Sequence, residues 1–270
     1  MNRVEETQAE VASFDAELPE AESTTVTDPG RDDSPGDIAR PAMWHRWENL
    51  SFIHWSYPPD AVARLLPPGL APHLFAGAAW VGLIPFRLRI RVPAGAPVLP
   101  WLSSFAEVNL RTYVRGPDGT TGIWFFSLEA ARLIPVLTAR AWYRLPYNWA
   151  RTRLRTIEGA TVYESSRRWP GPVRAGLVAM VEAGPAIPLE RLTALDRFLT
   201  ARFCLWSRGL RGLAYTLVNH PPWPLRRARL RYIDEGLLRA AGLPAPEGSP
   251  LVHWSEGVEV RFGRRLAVAC

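Results

Sequence analysis

Phe105-Ala106-Glu107-Val108-Asn109-Leu110-Arg111-Thr112-Tyr113-Val114 alternates apolar and polar residues, and a period of two marks a strand whose faces meet different surroundings. One face carries Glu107, Asn109, Arg111 and Tyr113, each about 7 Å from the next; the other carries Val108, Leu110 and Val114. A glutamate, an amide, a guanidinium and a phenol in one row can offer a small ligand a proton carrier, neutral donors and an anion anchor. The same row also suits the solvated outer face of a sheet, and the strand alone does not decide between them.

Downstream, Gly116-Pro117-Asp118-Gly119 makes a turn into the aromatic run Ile123-Trp124-Phe125-Phe126, which reads as a hairpin. Upstream, Phe86-Arg87-Leu88-Arg89-Ile90-Arg91-Val92 repeats the alternation. A second hairpin runs from Ala150 to Ile157, turns at Glu158-Gly159 and returns from Ala160 to Arg168. Further strands are expected over 175–181, 213–218, 226–232 and 258–262. Helical signals are fewer: 60–66 after Pro58-Pro59, a helix from Pro135 toward Tyr143, 189–205, and 235–241 closed by Gly242. Many hairpin-linked strands with a few peripheral helices predict an α+β domain built on a curved, largely antiparallel sheet that closes on itself.

Composition narrows the chemistry. The chain has 32 arginines and no lysine, which excludes imine-forming enzymes, pyridoxal phosphate held as a Schiff base and the phosphate-binding P-loop. Arginine must supply the cations; its planar fork suits carboxylate or phosphate but does not act as a base. Residues 1–40 hold eleven acids against Arg3, Arg31 and Arg40, and with few large apolar residues they read as a disordered acidic tail. Residues 41–270, with 29 arginines and 15 acids, read as one domain because no linker interrupts them.

The apolar stretch near 70–86 is broken by Pro72, His73 and Pro85, so no membrane span is expected. Cys204 and Cys270 form no disulfide framework, which points to a cytoplasmic protein. The five histidines lack metal-site spacing, and neither a metal nor any other cofactor is called for. Nucleic acid is disfavoured as a partner because the arginines are spread along alternating strands. His220-Pro221-Pro222-Trp223-Pro224 is a rigid loop that either packs on the sheet or lines a pocket mouth, and Arg46 and Arg140 are each placed to reach an anion or to form a salt bridge.

The runs Phe105 to Val114, Gly122 to Ala130 and Ala139 to Tyr147, with His220 to Leu225 and Trp254 to Val260, resemble the YqjF-like family, DUF2071, a domain of unknown function. The resemblance spans Trp44 to Val268. More distantly, and through Leu66-Pro67-Pro68, the chain is similar to the acetoacetate decarboxylases, whose cone-like antiparallel sheet encloses a small pocket. That resemblance implies an acetoacetate decarboxylase-like fold with Glu107 at the position of an active-site glutamate. The imine-forming lysine and its lysine neighbour are replaced by Tyr147 and Asn148, so decarboxylation through an imine is unavailable.

The expected activity is therefore the binding of an oxo-acid or related carbonyl compound, with or without turnover. Glu107 would be general acid/base. Arg111 would anchor an anion or hold Glu107 ionised, and Asn109, Tyr147 and Asn148 would donate to a carbonyl oxygen, with Tyr113 and Arg140 completing the ligand contacts. Because decarboxylase relatives assemble, a homo-oligomer is left open.

Overall fold

The computed structural model describes residues 38, 40–91, 103–132, 140, 144–171, 175–210 and 212–268. The acidic segment up to Asp37, most of the expected helix from Pro135 toward Tyr143, and Cys270 lie outside the described residues.

Among the described residues twelve strands form one sheet: β1 (Met43–Tyr57), β2 (Ala71–Pro72), β3 (Ala79–Arg91), β4 (Ser104–Arg115), β5 (Thr121–Ala130), β6 (Tyr147–Ile157), β7 (Ala160–Trp169), β8 (Gly176–Ala186), β9 (Cys204–Arg208), β10 (Leu213–Asn219), β11 (Leu225–Glu235) and β12 (Leu251–Ala267). Short helices α1 (Pro59–Ala63), α2 (Ala194–Thr200) and α3 (Leu237–Ala240) join them. Pairing is antiparallel except where β5 meets β6 and β9.

Strands β12, β1, β3, β4 and β5 lie side by side, and the sheet returns from β5 to β12 by two routes. One runs through β9 and β10, the other through β6, β7, β8 and β11, so two hydrogen-bonded circuits share five strands. Each face of the shared strands therefore has its own core. Leu50, Phe52, Phe86 and Leu128 belong to one, and Ile53, Leu83, Val108 and Leu110 to the other. The period-two reading of β4 predicts this two-sidedness, but both faces are buried, which excludes the solvated alternative for the Glu107 row.

The long central strand β1 was not expected from the sequence. Its alternation slips at a bulge between Glu48 and Ile53, where Asn49 takes a φ of 47°, so Trp47 and Leu50 share a face although three residues apart. Across from it, Gly257 of β12 has a φ of 116°, and a Cβ there would lie 1.8 Å from the Trp47 carbonyl oxygen, so only glycine fits.

The helix expected over 189–205 is corrected to a 3₁₀ turn, Leu189–Arg191, and α2. A reciprocal capping box between Thr193 and Asp196 sets the start of α2. Cys204 and Leu205, the end of that expected helix, open strand β9 instead, held by ladders with β5 and β10.

From Asn219, opposite Arg261, to Leu225, opposite Ser255, the chain keeps one register against β12. Between them Pro221, Pro222 and Pro224 have no N–H to donate, and the ladder opens. The result is an outward cleft of about 700 Å³ between residues 219–224 and 256–261.

Candidate functional site

Glu107 sits on β4 between Phe86 of β3 and Ala130 of β5, facing the core that contains both. It is 3% exposed, and its two oxygens each accept from the Tyr147 phenol at 3.3 Å. Burial pushes the carboxyl up to about 8, against the smaller opposing effect of the Tyr147 hydrogen bond. At neutral pH the group is therefore mostly the neutral acid. The same burial, with Glu107 beside it, holds the Tyr147 phenol well above its ordinary range. The alternative in which Arg111 keeps Glu107 ionised finds no support among the described residues, where the carboxyl bonds Tyr147 and Arg111 donates to the Leu199 carbonyl.

Two rungs further along the same face, Arg111 is 4% exposed and donates from Nη2 to the Leu199 carbonyl at 3.1 Å. Its guanidinium carbon lies 5.6 Å from the Phe52 ring centre. Tyr113 donates to the same Leu199 carbonyl at 2.7 Å, and His54 Nε2 stands 2.6 Å from that phenol oxygen. Because the single phenolic hydrogen goes to Leu199, His54 carries its own on Nε2 and leaves Nδ1 as an acceptor. Burial, then the Arg111 and His253 charges, hold His54 well below its ordinary pKa, so the ring is neutral.

Gly82 lies between His54 and Arg111 in the sheet, and a Cβ there would fall 2.6 Å from His54 Nε2. Asn109, 1% exposed, stands between Glu107 and Arg111 with Oδ1 buried and unpartnered among the described residues. Arg111 Nε and His54 Nδ1 are in the same condition. His253 of β12 faces Phe52 across the strands, with Nε2 3.0 Å from Asp196 Oδ1.

The structure brings Glu107, Asn109, Arg111, Tyr113 and Tyr147 to one interior face and separates two others from them. Asn148 follows Tyr147 on a strand and so points to the opposite face, where Nδ2 donates to Glu129 Oε1 at 2.9 Å. Arg167 Nε also donates to Glu129, at 3.0 Å to Oε2, and its Nη2 pairs with Oε1, forming a buried ion pair that sequence reasoning missed. Arg140 donates from Nη1 to the Tyr147 carbonyl at 2.5 Å and lies 5.1 Å over the Trp169 ring, behind the strand that carries the phenol.

Arg46 is on an outer face, 4.0 Å from Glu48. His220 lines the outward cleft, whereas Trp223 packs inward and donates to the Thr200 carbonyl at 3.2 Å. Arg89, Arg91, Arg155, Arg229 and Arg231 pair with carboxylates of Glu48, Glu259, Glu164 and Glu182. Among the described residues no group of three His, Cys, Asp or Glu is arranged to hold a metal ion, and no helix is long and apolar enough to cross a membrane.

The model of DUF2071, an uncharacterized conserved protein, matches residues 45–259. The uncharacterized protein YqjF of Bacillus subtilis (strain 168) is 32% identical over 220 residues, which cover 82% of this chain and 90% of that protein. Among solved structures, acetoacetate decarboxylase from Legionella pneumophila subsp. pneumophila str. Philadelphia 1 is similar with a TM-score of 0.57 at 13% identity, covering 92% of this chain and 98% of that one. The enduracididine biosynthesis enzyme MppR complexed with pyruvate is similar with a TM-score of 0.55 at 17% identity, covering 87% and 91%. These likenesses show the acetoacetate decarboxylase-like fold expected from the sequence.

Proposed function

The chain belongs to the DUF2071 family, and from that premise we propose that it binds a small oxo-acid or related carbonyl compound against the interior face of β4 and moves a proton on it through Glu107, without an imine. The single observation that carries this reading is the Glu107 carboxyl: buried among apolar residues, bonded to one phenol, and pushed up to about 8 by that burial. A general acid or base works best when its pKa lies near the working pH. Here burial places it there. As the neutral acid, Glu107 hands its hydrogen to a carbonyl oxygen. As the carboxylate, it takes a proton from the carbon beside the carbonyl, while the Tyr147 phenol donates to the oxygen on which charge grows.

Arg111 then binds the carboxylate of the ligand with the guanidinium edge that Leu199 does not occupy. With Asn148 turned to the opposite face, the oxygen donors on this side are Tyr147 and the neutral Glu107. A neutral carboxylic acid beside a phenol in an apolar site is a known arrangement for holding an enolate.

Deuterium exchange at the methyl group of pyruvate, followed by proton NMR, tests the reading. Exchange by the wild-type protein that is lost in Glu107→Gln supports it. Binding without exchange would leave a ligand-binding protein with no turnover, the alternative that the missing lysine pair itself favours.

A further inference from the structure

Buried polar atoms almost always find partners, so those that lack one inside a protein indicate what a ligand must bring. On the interior face such atoms cluster around Phe52. Arg111 lies 5.6 Å from its ring, His54 stacks with it at 6.1 Å between ring centres, His253 is its cross-strand partner, and Asn109 lies two residues from Arg111 on the same face. The unmet atoms differ in kind. Arg111 Nε is a donor on a cation, whereas Asn109 Oδ1 and His54 Nδ1 are acceptors. His253 Nδ1 is also unmet, while its Nε2 stands 3.0 Å from Asp196 Oδ1.

A simple oxo-acid such as pyruvate matches only part of this set. Its oxygens accept hydrogen bonds, which serves Arg111, Tyr147 and the neutral Glu107, but it has no hydrogen to give to Asn109 or His54. We propose that the ligand is an oxo-acid bearing hydroxyl or amino substituents, its carboxylate toward Arg111 and its donor hydrogens on Asn109 Oδ1 and His54 Nδ1. This rests on the reading of the interior face as a ligand site and names the substrate class that the site selects.

The selection is steep because a ligand without the donor leaves a buried acceptor stripped of water and unpaired. One such hydrogen bond corresponds to about tenfold in affinity.

Calorimetric titration of the full chain with pyruvate and with hydroxypyruvate, which differ by one hydroxyl donor, tests the proposal. Hydroxypyruvate binding about tenfold more tightly is the expected result, with the ratio falling toward one in Asn109→Leu, which keeps the volume and removes the acceptor. Equal affinities in the wild-type protein, or no binding of either acid, overturn the proposal whether or not the variant folds. So does a preference that survives Asn109→Leu in a folded protein. The Glu107 reading fails separately: pyruvate exchange that depends on Glu107, without a hydroxypyruvate preference, removes only the substrate class.

Discussion

The Tyr147 phenol reaches both carboxylate oxygens of Glu107 at 3.3 Å, joining the start of β6 to the middle of β4 across 40 residues of chain. The contact exists because the parallel ladder of β5 and β6 sets Tyr147 opposite Leu128, two residues from the Ala130 that faces Glu107. It also opposes the effect of burial on the carboxyl, so its removal has a definite sign.

Tyr147→Phe raises the Glu107 pKa above the value of about 8, because the hydrogen bond that stabilises the charged form is gone. The carboxyl C=O infrared band, titrated against pH, measures this. A downward movement contradicts the assignment of Tyr147 as donor.

The same carboxyl makes stability depend on pH. Its folded pKa of about 8 lies above the ordinary 4.5, so the folded state keeps a proton that the unfolded chain releases. The contribution is complete below about 4.5 and is lost as pH rises through about 8, at roughly 1.4 kcal/mol per pH unit from this group. Urea unfolding midpoints of wild type and Glu107→Gln between pH 5 and 9 should diverge, with the glutamine variant gaining at the alkaline end. Parallel curves would show that Glu107 titrates normally.

Gly82→Ala places a methyl 2.6 Å from His54 Nε2 and should force the ring off the Tyr113 phenol. Overpacking of this kind costs about 1–3 kcal/mol. Denaturant midpoints give the cost, and a histidine ring resonance unchanged from wild type would refute the displacement.

Glu129→Gln leaves Arg167 as a buried cation without its carboxylate and should cost about 3–5 kcal/mol, whereas Glu129→Leu with Arg167→Met recovers most of that stability. A thermal unfolding series of the variants checks both. A single change that is harmless would mean that the pair is not buried in solution.

Legibility in the sequence followed the regularity of the backbone. Strand β4 keeps an unbroken period of two and could be read directly, as could the β6–β7 hairpin from its turn to the bulge at Ala150 and the common face of Glu107, Asn109 and Arg111; β5 was legible from its turn and aromatic run, not its alternation, which slips so that Phe125 and Leu128 share a face. Strand β1 could not, because the Asn49 bulge and its Gly257 partner shift the alternation in mid-strand. Tyr147 and Asn148 cannot serve one carbonyl together, because adjacent residues of a strand face opposite ways. The Leu199 carbonyl that holds Arg111 and Tyr113 is a main-chain atom some 90 residues distant, and side-chain patterns carry no trace of it.

The central claim is that a buried carboxyl near Tyr147 carries the proton in an interior with no amine. The pH dependence of deuterium exchange into pyruvate tests it most directly. The rate should rise through an apparent pKa of about 8 and fall by roughly 10²-fold or more in Glu107→Gln. Exchange that persists in that variant, or that rises through an ordinary carboxylate pKa near 4.5, contradicts the account.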